Sequence, residues 1–145
     1  MEHVCGAVED DEAAVRLGGP QGWVRLWNRV VDPPPYGGLE FCIEVGAADM
    51  AARLHRVFVY NEAPDTFVVG LAESFAGWSG QRSWQSVNRD VTITAVFLSR
   101  GHVDMTWVLA PWRMNMDWRA EVTVRGIQAG EEMRSLAAGM GVLLG

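Results

Sequence analysis

Residues 91–110 read VTITAVFLSRGHVDMTWVLA, and this stretch decides the fold class. Val91, Ile93, Ala95 and Phe97 alternate with Thr92, Thr94, Val96 and Leu98, the period of two expected of a strand with one buried face. Ser99, Arg100, Gly101 and His102 supply a short loop, and Val103, Met105, Trp107 and Leu109 return on the same period. The segment therefore predicts an antiparallel hairpin. Toward the C-terminus, Trp118, Ala120, Val122 and Val124 alternate with Arg119, Glu121, Thr123 and Arg125, which adds a further strand to the meander. A helix over residues 128–144 follows, with Met133, Leu136, Ala137, Met140 and Leu144 on one stripe. Glu131 and Glu132 fall in its first turn, where the helix dipole favours carboxylates.

Toward the N-terminus the texture is similar. Residues 83–87 form a short strand, and residues 64–77 a helix whose stripe is Phe67, Leu71, Phe75 and Trp78. Pro64 suits the first turn of that helix, because the donor it lacks has no partner there in any case. Leu39, Phe41, Ile43 and Val45 alternate with Glu40, Cys42 and Glu44, and residues 53–60 form the neighbouring strand of a hairpin. Residues 23–32 make another strand, ended by Pro33, Pro34, Pro35, Tyr36, Gly37 and Gly38. Residues 1–14, with the acidic run Glu9, Asp10, Asp11 and Glu12, show neither period and read as a flexible acidic arm. The expected architecture is one α+β domain over residues 15–145, a mostly antiparallel sheet of about six to eight strands with two helices packed on one face.

Composition narrows the function classes. A chain of 145 residues can bury its own core without metals or disulfides. Its net charge of -6 works against nucleic-acid binding, which needs clustered cations, and fits a partner with a basic surface. No apolar run reaches the ~20 residues of a membrane-spanning helix, and no basic residue precedes an apolar stretch near the N-terminus. A cytoplasmic protein without membrane contact is the expectation, with Cys5 and Cys42 as two reduced thiols. All 12 basic residues are arginine, which points to the codon bias of a GC-rich genome.

Motifs for catalysis are absent from the sequence. His3, His55 and His102 are scattered, with no metal-ligand spacing to a Cys, Asp or Glu, and neither a nucleophile elbow nor a phosphate loop occurs. No metal, cofactor or catalytic residue is assigned. Glu40 and Glu44 share a strand face but stand roughly 13 Å apart by the strand rise, too far to act on one bond.

Two clusters are candidates for recognition. Alternation places Trp23, Arg25, Trp27 and Arg29 on one face of a strand, and Trp and Arg are the side chains enriched at binding hot spots. If Val24, Leu26 and Val30 face the core, two indoles and two guanidiniums face outward, an apolar area that calls for a cover. Either the arm of residues 1–14 or a partner supplies it. The alternative is a pocket around Trp78, Arg82, Trp84 and His102, which would serve a small ligand or a dispersed enzyme site.

The stretch FAGWSGQRSWQSVNRDVTITAVFLSRGHVDMTW, residues 75–107, and the ending WRAEVTVRGIQAGEEMRSLAAGMGVLL resemble a small bacterial, actinobacterial-type family, the domain of unknown function numbered 6228. The shared features are the Gly-Trp turn, the Arg-x-Trp strand start, the Gly-His hairpin and the Gly-Glu-Glu opening of the last helix. The resemblance runs from about Leu39 to the C-terminus and carries no functional residues with it. The order of elements is more distantly similar to WapI-like immunity proteins, which implies a non-catalytic protein that neutralises a toxin by binding it. The other readings are a small-ligand or structural module and an enzyme with a dispersed site.

Overall fold

The computed structural model describes residues 5–35, 37–60, 63–112 and 117–145; residues 1–4 of the arm, His3 among them, and Tyr36 lie outside them. The period-two segments close into two antiparallel sheets of four strands. The first holds β1 (Val15–Gly19), β2 (Gly22–Val31), β3 (Leu39–Ala47) and β4 (Met50–Val59) in chain order. Helix α1 (Pro64–Glu73) leads to the second, made of β5 (Gln81–Gln85), β6 (Val91–Leu98), β7 (His102–Leu109) and β8 (Ala120–Gln128), and α2 (Glu131–Leu144) ends the chain. The α+β class and the antiparallel meander are as the sequence predicts.

The eight strands fall within the expected number, but they divide between two sheets where one was expected. Alternation along a strand says which side chains face the core and nothing about which strands share hydrogen bonds. Both sheets bury their inner rows, Val24, Leu26, Phe41, Ile43 and Val45 from one and Ile93, Met105, Trp107 and Val122 from the other, in one core that α1 and α2 complete. The helices lie against each other, and α2 touches strands of both sheets, β1, β2 and β8. The sheets approach closely where β2 begins, with the Gly22 backbone against the Thr123 carbonyl of β8.

The helix stripes fare differently. Met133, Leu136, Ala137, Met140 and Leu144 are all buried, so the stripe of α2 stands as read. In α1 the buried set is Pro64, Val68, Leu71 and Ala72, and the helix stops at Glu73. Phe75 lies beyond the helix end and is 61% exposed, while Trp78 packs edge-on against Phe97 with ring centroids 5.2 Å apart. Strand β1 has no counterpart in the sequence reading, since Val15 and Leu17 are too few to establish a period before Gly18.

Candidate functional site

The outer face of the first sheet is built by register. Arg16 of β1 pairs with Arg25 of β2, Arg25 with Glu44 of β3, and Glu44 with Arg53 of β4, so one row across all four strands carries three guanidiniums and one carboxylate. Glu44 anchors the row, with Arg53 donating to it at 3.0 Å and Arg25 in an ion pair with it at 3.7 Å. On one side of the row lies Trp23, whose ring covers the bare backbone of Gly46; a Cβ at Gly46 would collide with the indole. On the other lies Trp27, opposite Cys42. The Arg25 guanidinium sits 4.4 Å from the centre of the Trp23 ring and that of Arg53 5.0 Å from the Trp27 ring. Each cation is thus stacked on one indole, an arrangement that fixes otherwise mobile side chains and strips part of their hydration.

The stripe Trp23, Arg25, Trp27, Arg29 does not continue as a single exposed row. Trp23 is half-buried and Arg25 reaches solvent, but Trp27 is only 1% exposed. Residues 5–14 cover it: Cys5, Val8, Trp27 and Cys42 form a small cluster of their own, with Ala14 packed against it, on the side of the sheet away from the main core. Trp27 Nε1 donates to the Gly6 carbonyl at 2.8 Å. Past Trp27 the strand bulges. Asn28 takes a left-handed φ of 64°, its N–H bonds the Asp11 carboxylate at 2.7 Å, and pairing with β3 skips from Trp27 to Val30. A bulge inserts one residue and so resets the alternation. Arg29 accordingly lines a groove of about 460 Å³ with Asp10, Asp11, Trp27 and Val142.

The expectation of two separate thiols is overturned, because Cys5 and Cys42 are joined in a disulfide that spans 37 residues. Cys42 sits on the outer face of β3, where the arm crosses, and this puts the two sulfurs within reach.

Farther along the same face, Arg56 grips the buried Glu40 with Nε at 2.8 Å from one oxygen and a second nitrogen at 3.2 Å from the other. Glu40 and Glu44 therefore each serve an arginine of β4. Asp32 nearby is held above the ordinary carboxylate value of 3.8, first by lost solvation and then by the hydrogen bond and charge of Glu40, with Arg56 partly opposing. The folded chain keeps this proton more tightly than the unfolded one, so ionising Asp32 costs stability as pH rises above 3.8. Asp32→Asn, which cannot ionise, is expected to gain stability relative to the parent as pH rises from 3.8, read in urea titrations. A difference that stays constant with pH would remove Asp32 from the account.

The alternative cluster is only partly gathered. Arg82 lies over Trp78, 4.7 Å from its ring centre, and donates to Ser74 Oγ at 2.8 Å, which ties the end of α1 to β5. Trp84 points into the main core. His102 starts β7 opposite Leu98 and Gln128, and no hydrogen bond or ring contact joins it to the other three. Among the described residues, no group of three or more His, Cys, Asp and Glu side chains is placed to hold a metal ion.

Sequence reasoning found Trp23, Arg25 and Trp27 but missed Arg16 and Arg53. Both sit at the same level of the sheet as Arg25, and only the register between strands brings them together. The turn signal Gly18-Gly19-Pro20-Gln21-Gly22 would have revealed β1 and with it Arg16. The family model described as Family of unknown function (DUF6228) matches residues 15–145, which takes in both β1 and β2 and extends the resemblance beyond Leu39. No curated protein matches the chain.

Proposed function

We propose that this chain, which belongs to the Family of unknown function (DUF6228), is a non-catalytic binding protein that docks an acidic protein segment on the outer face of its first sheet. The observation that carries the reading is the row Arg16, Arg25, Glu44 and Arg53, with indoles stacked under two of its guanidiniums. Strands β1 to β4 carry five arginines against two glutamates, although the chain as a whole has a net charge of -6. The strands of this sheet therefore carry a charge balance opposite to that of the whole chain, with the acidic residues 9–12 lying beside them. Arg25 and Arg53 stand two strands apart on the backbone, yet their guanidiniums converge on the one Glu44 carboxylate from either side and form a single cationic pair. Arginine forks bind carboxylates with two parallel hydrogen bonds, and stacking on tryptophan fixes their orientation before a partner arrives.

The reading is tested with a fluorescent ten-residue glutamate peptide at low ionic strength, the condition that least screens exposed charges. The double substitution of Arg25 and Arg53 by alanine is expected to weaken binding about tenfold or more. Equal affinity in parent and variant would sink the proposal. A basic partner such as a toxin domain, favoured by net charge, has a different landing place in the exposed carboxylates Glu9, Asp10 and Glu12. A ten-residue arginine peptide that binds the parent, and is lost when those three become alanine, would favour that second reading. A cytoplasmic location belongs to the proposal as well.

A further inference from the structure

We propose that the Cys5–Cys42 disulfide is a redox latch which holds the acidic arm over the cationic face and blocks the docking site; this rests on the docking reading above. Three observations carry it. The arm is secured by the disulfide, by the Trp27 indole donating to the Gly6 carbonyl, and by Asp11 accepting from the Asn28 N–H, all of them on the outer face. The apolar cluster under the arm is separate from the main core, against which Ala13 packs, so lifting residues 5–11 uncovers Trp27 without opening the domain. The family match begins at residue 15, which places the whole arm and Cys5 outside the matched residues while Cys42 lies inside them.

The chemistry of the arm explains why its position matters. Glu9, Asp10, Asp11 and Glu12 bring four carboxylates to the edge of a face whose central row carries three guanidiniums and one carboxylate, and Arg16 already reaches the Val8 carbonyl at 3.5 Å. A segment of this composition competes for the arginines with any acidic partner. With the disulfide intact the competitor is tethered and present at high effective concentration. In the latch step a dithiol attacks the disulfide. Two electrons and two protons pass to Cys5 and Cys42, giving two thiols, and the dithiol leaves as its own disulfide. The arm is then held only by its few local contacts, and Trp27 becomes available beside the already exposed Arg53.

The test uses the full chain, oxidised or treated with dithiothreitol, alongside Cys5→Ser, which has the latch open in either condition. Hydrogen exchange by mass spectrometry reads the arm, and the ten-residue glutamate peptide reads the face. Reduction is expected to speed exchange in residues 5–11 at least tenfold, to leave the inner rows of β2, β3 and β4 protected, and to tighten peptide binding at least fivefold. Cys5→Ser should match the reduced protein and ignore dithiothreitol. An arm that stays protected after reduction overturns the latch, as does an arm that loosens with no gain in affinity. Global loss of protection on reduction overturns it too, by making the disulfide a staple of the domain. Failure of the docking reading has a different signature: the arm loosens as expected, yet substitution of Arg25 and Arg53 by alanine leaves peptide affinity unchanged in both redox states.

Discussion

Trp27→Ala is expected to lower the unfolding free energy of the oxidised protein by about 3 kcal/mol or more, a loss measurable as a lower urea midpoint. The indole is nearly inaccessible, the disulfide keeps the arm from collapsing fully into the space left behind, and the Gly6 carbonyl loses its donor. Trp23→Ala should cost only about 1 kcal/mol, since that ring is half-buried and covers little besides Gly46. The contrast decides what each tryptophan does in the oxidised protein. A small effect at Trp27 would mean that the arm contributes no real cover and that the indole is available to partners without any release. In the reduced protein the cost at Trp27 should shrink, because a released arm no longer buries the ring.

How much of this was legible in the sequence depends on what sets each feature. The meander was plain because one sheet face is buried and polar residues mark the other, as in Thr92, Thr94, Thr106 and Thr123. The α2 stripe was legible for the same reason at helical period. Phe75 was misassigned because it stands four residues after Leu71, the spacing of a helix that had already ended. The split into two sheets left no trace in any single segment, since it depends on which edges pair. Register across β1 to β4 is likewise a relation between strands. The candidate site was therefore seen as one stripe along β2 when its working direction runs across the sheet.

The arm illustrates a different limit. Its residues have no period, and a segment without period reads as mobile, yet five of the described positions, Cys5, Gly6, Val8, Asp11 and Ala14, each make a particular contact with the sheet. The bulge at Asn28 hid the end of the stripe in the same way. Asparagine tolerates a left-handed backbone better than most residues, but it does so in too many places for one Asn to announce a bulge. What the sequence did supply was the physical problem: an outer row with two indoles needs a cover. The structure identifies Cys5, Val8 and Ala14 as part of that cover and adds a covalent bond to it.

The domain should also be sensitive where its two sheets meet. Gly22→Ala is expected to destabilise it by about 2–3 kcal/mol, because the added methyl would lie 2.6 Å from the Thr123 carbonyl oxygen and 3.4 Å from a methyl of Val122. The first neighbour is backbone in the middle of β8, a strand paired with β7, so no side-chain rotation can make room. The start of β2 and the centre of β8 must separate, which loosens the inner rows of both sheets at once. Gly139→Ala provides the control. Its methyl meets nothing nearer than Val15 at 3.8 Å, so it should stabilise α2 by about 1 kcal/mol through helix propensity alone. Urea titration of the two variants separates a close approach from simple flexibility: if Gly22→Ala is as benign as Gly139→Ala, the contact between the sheets at this point does not govern the packing of the domain.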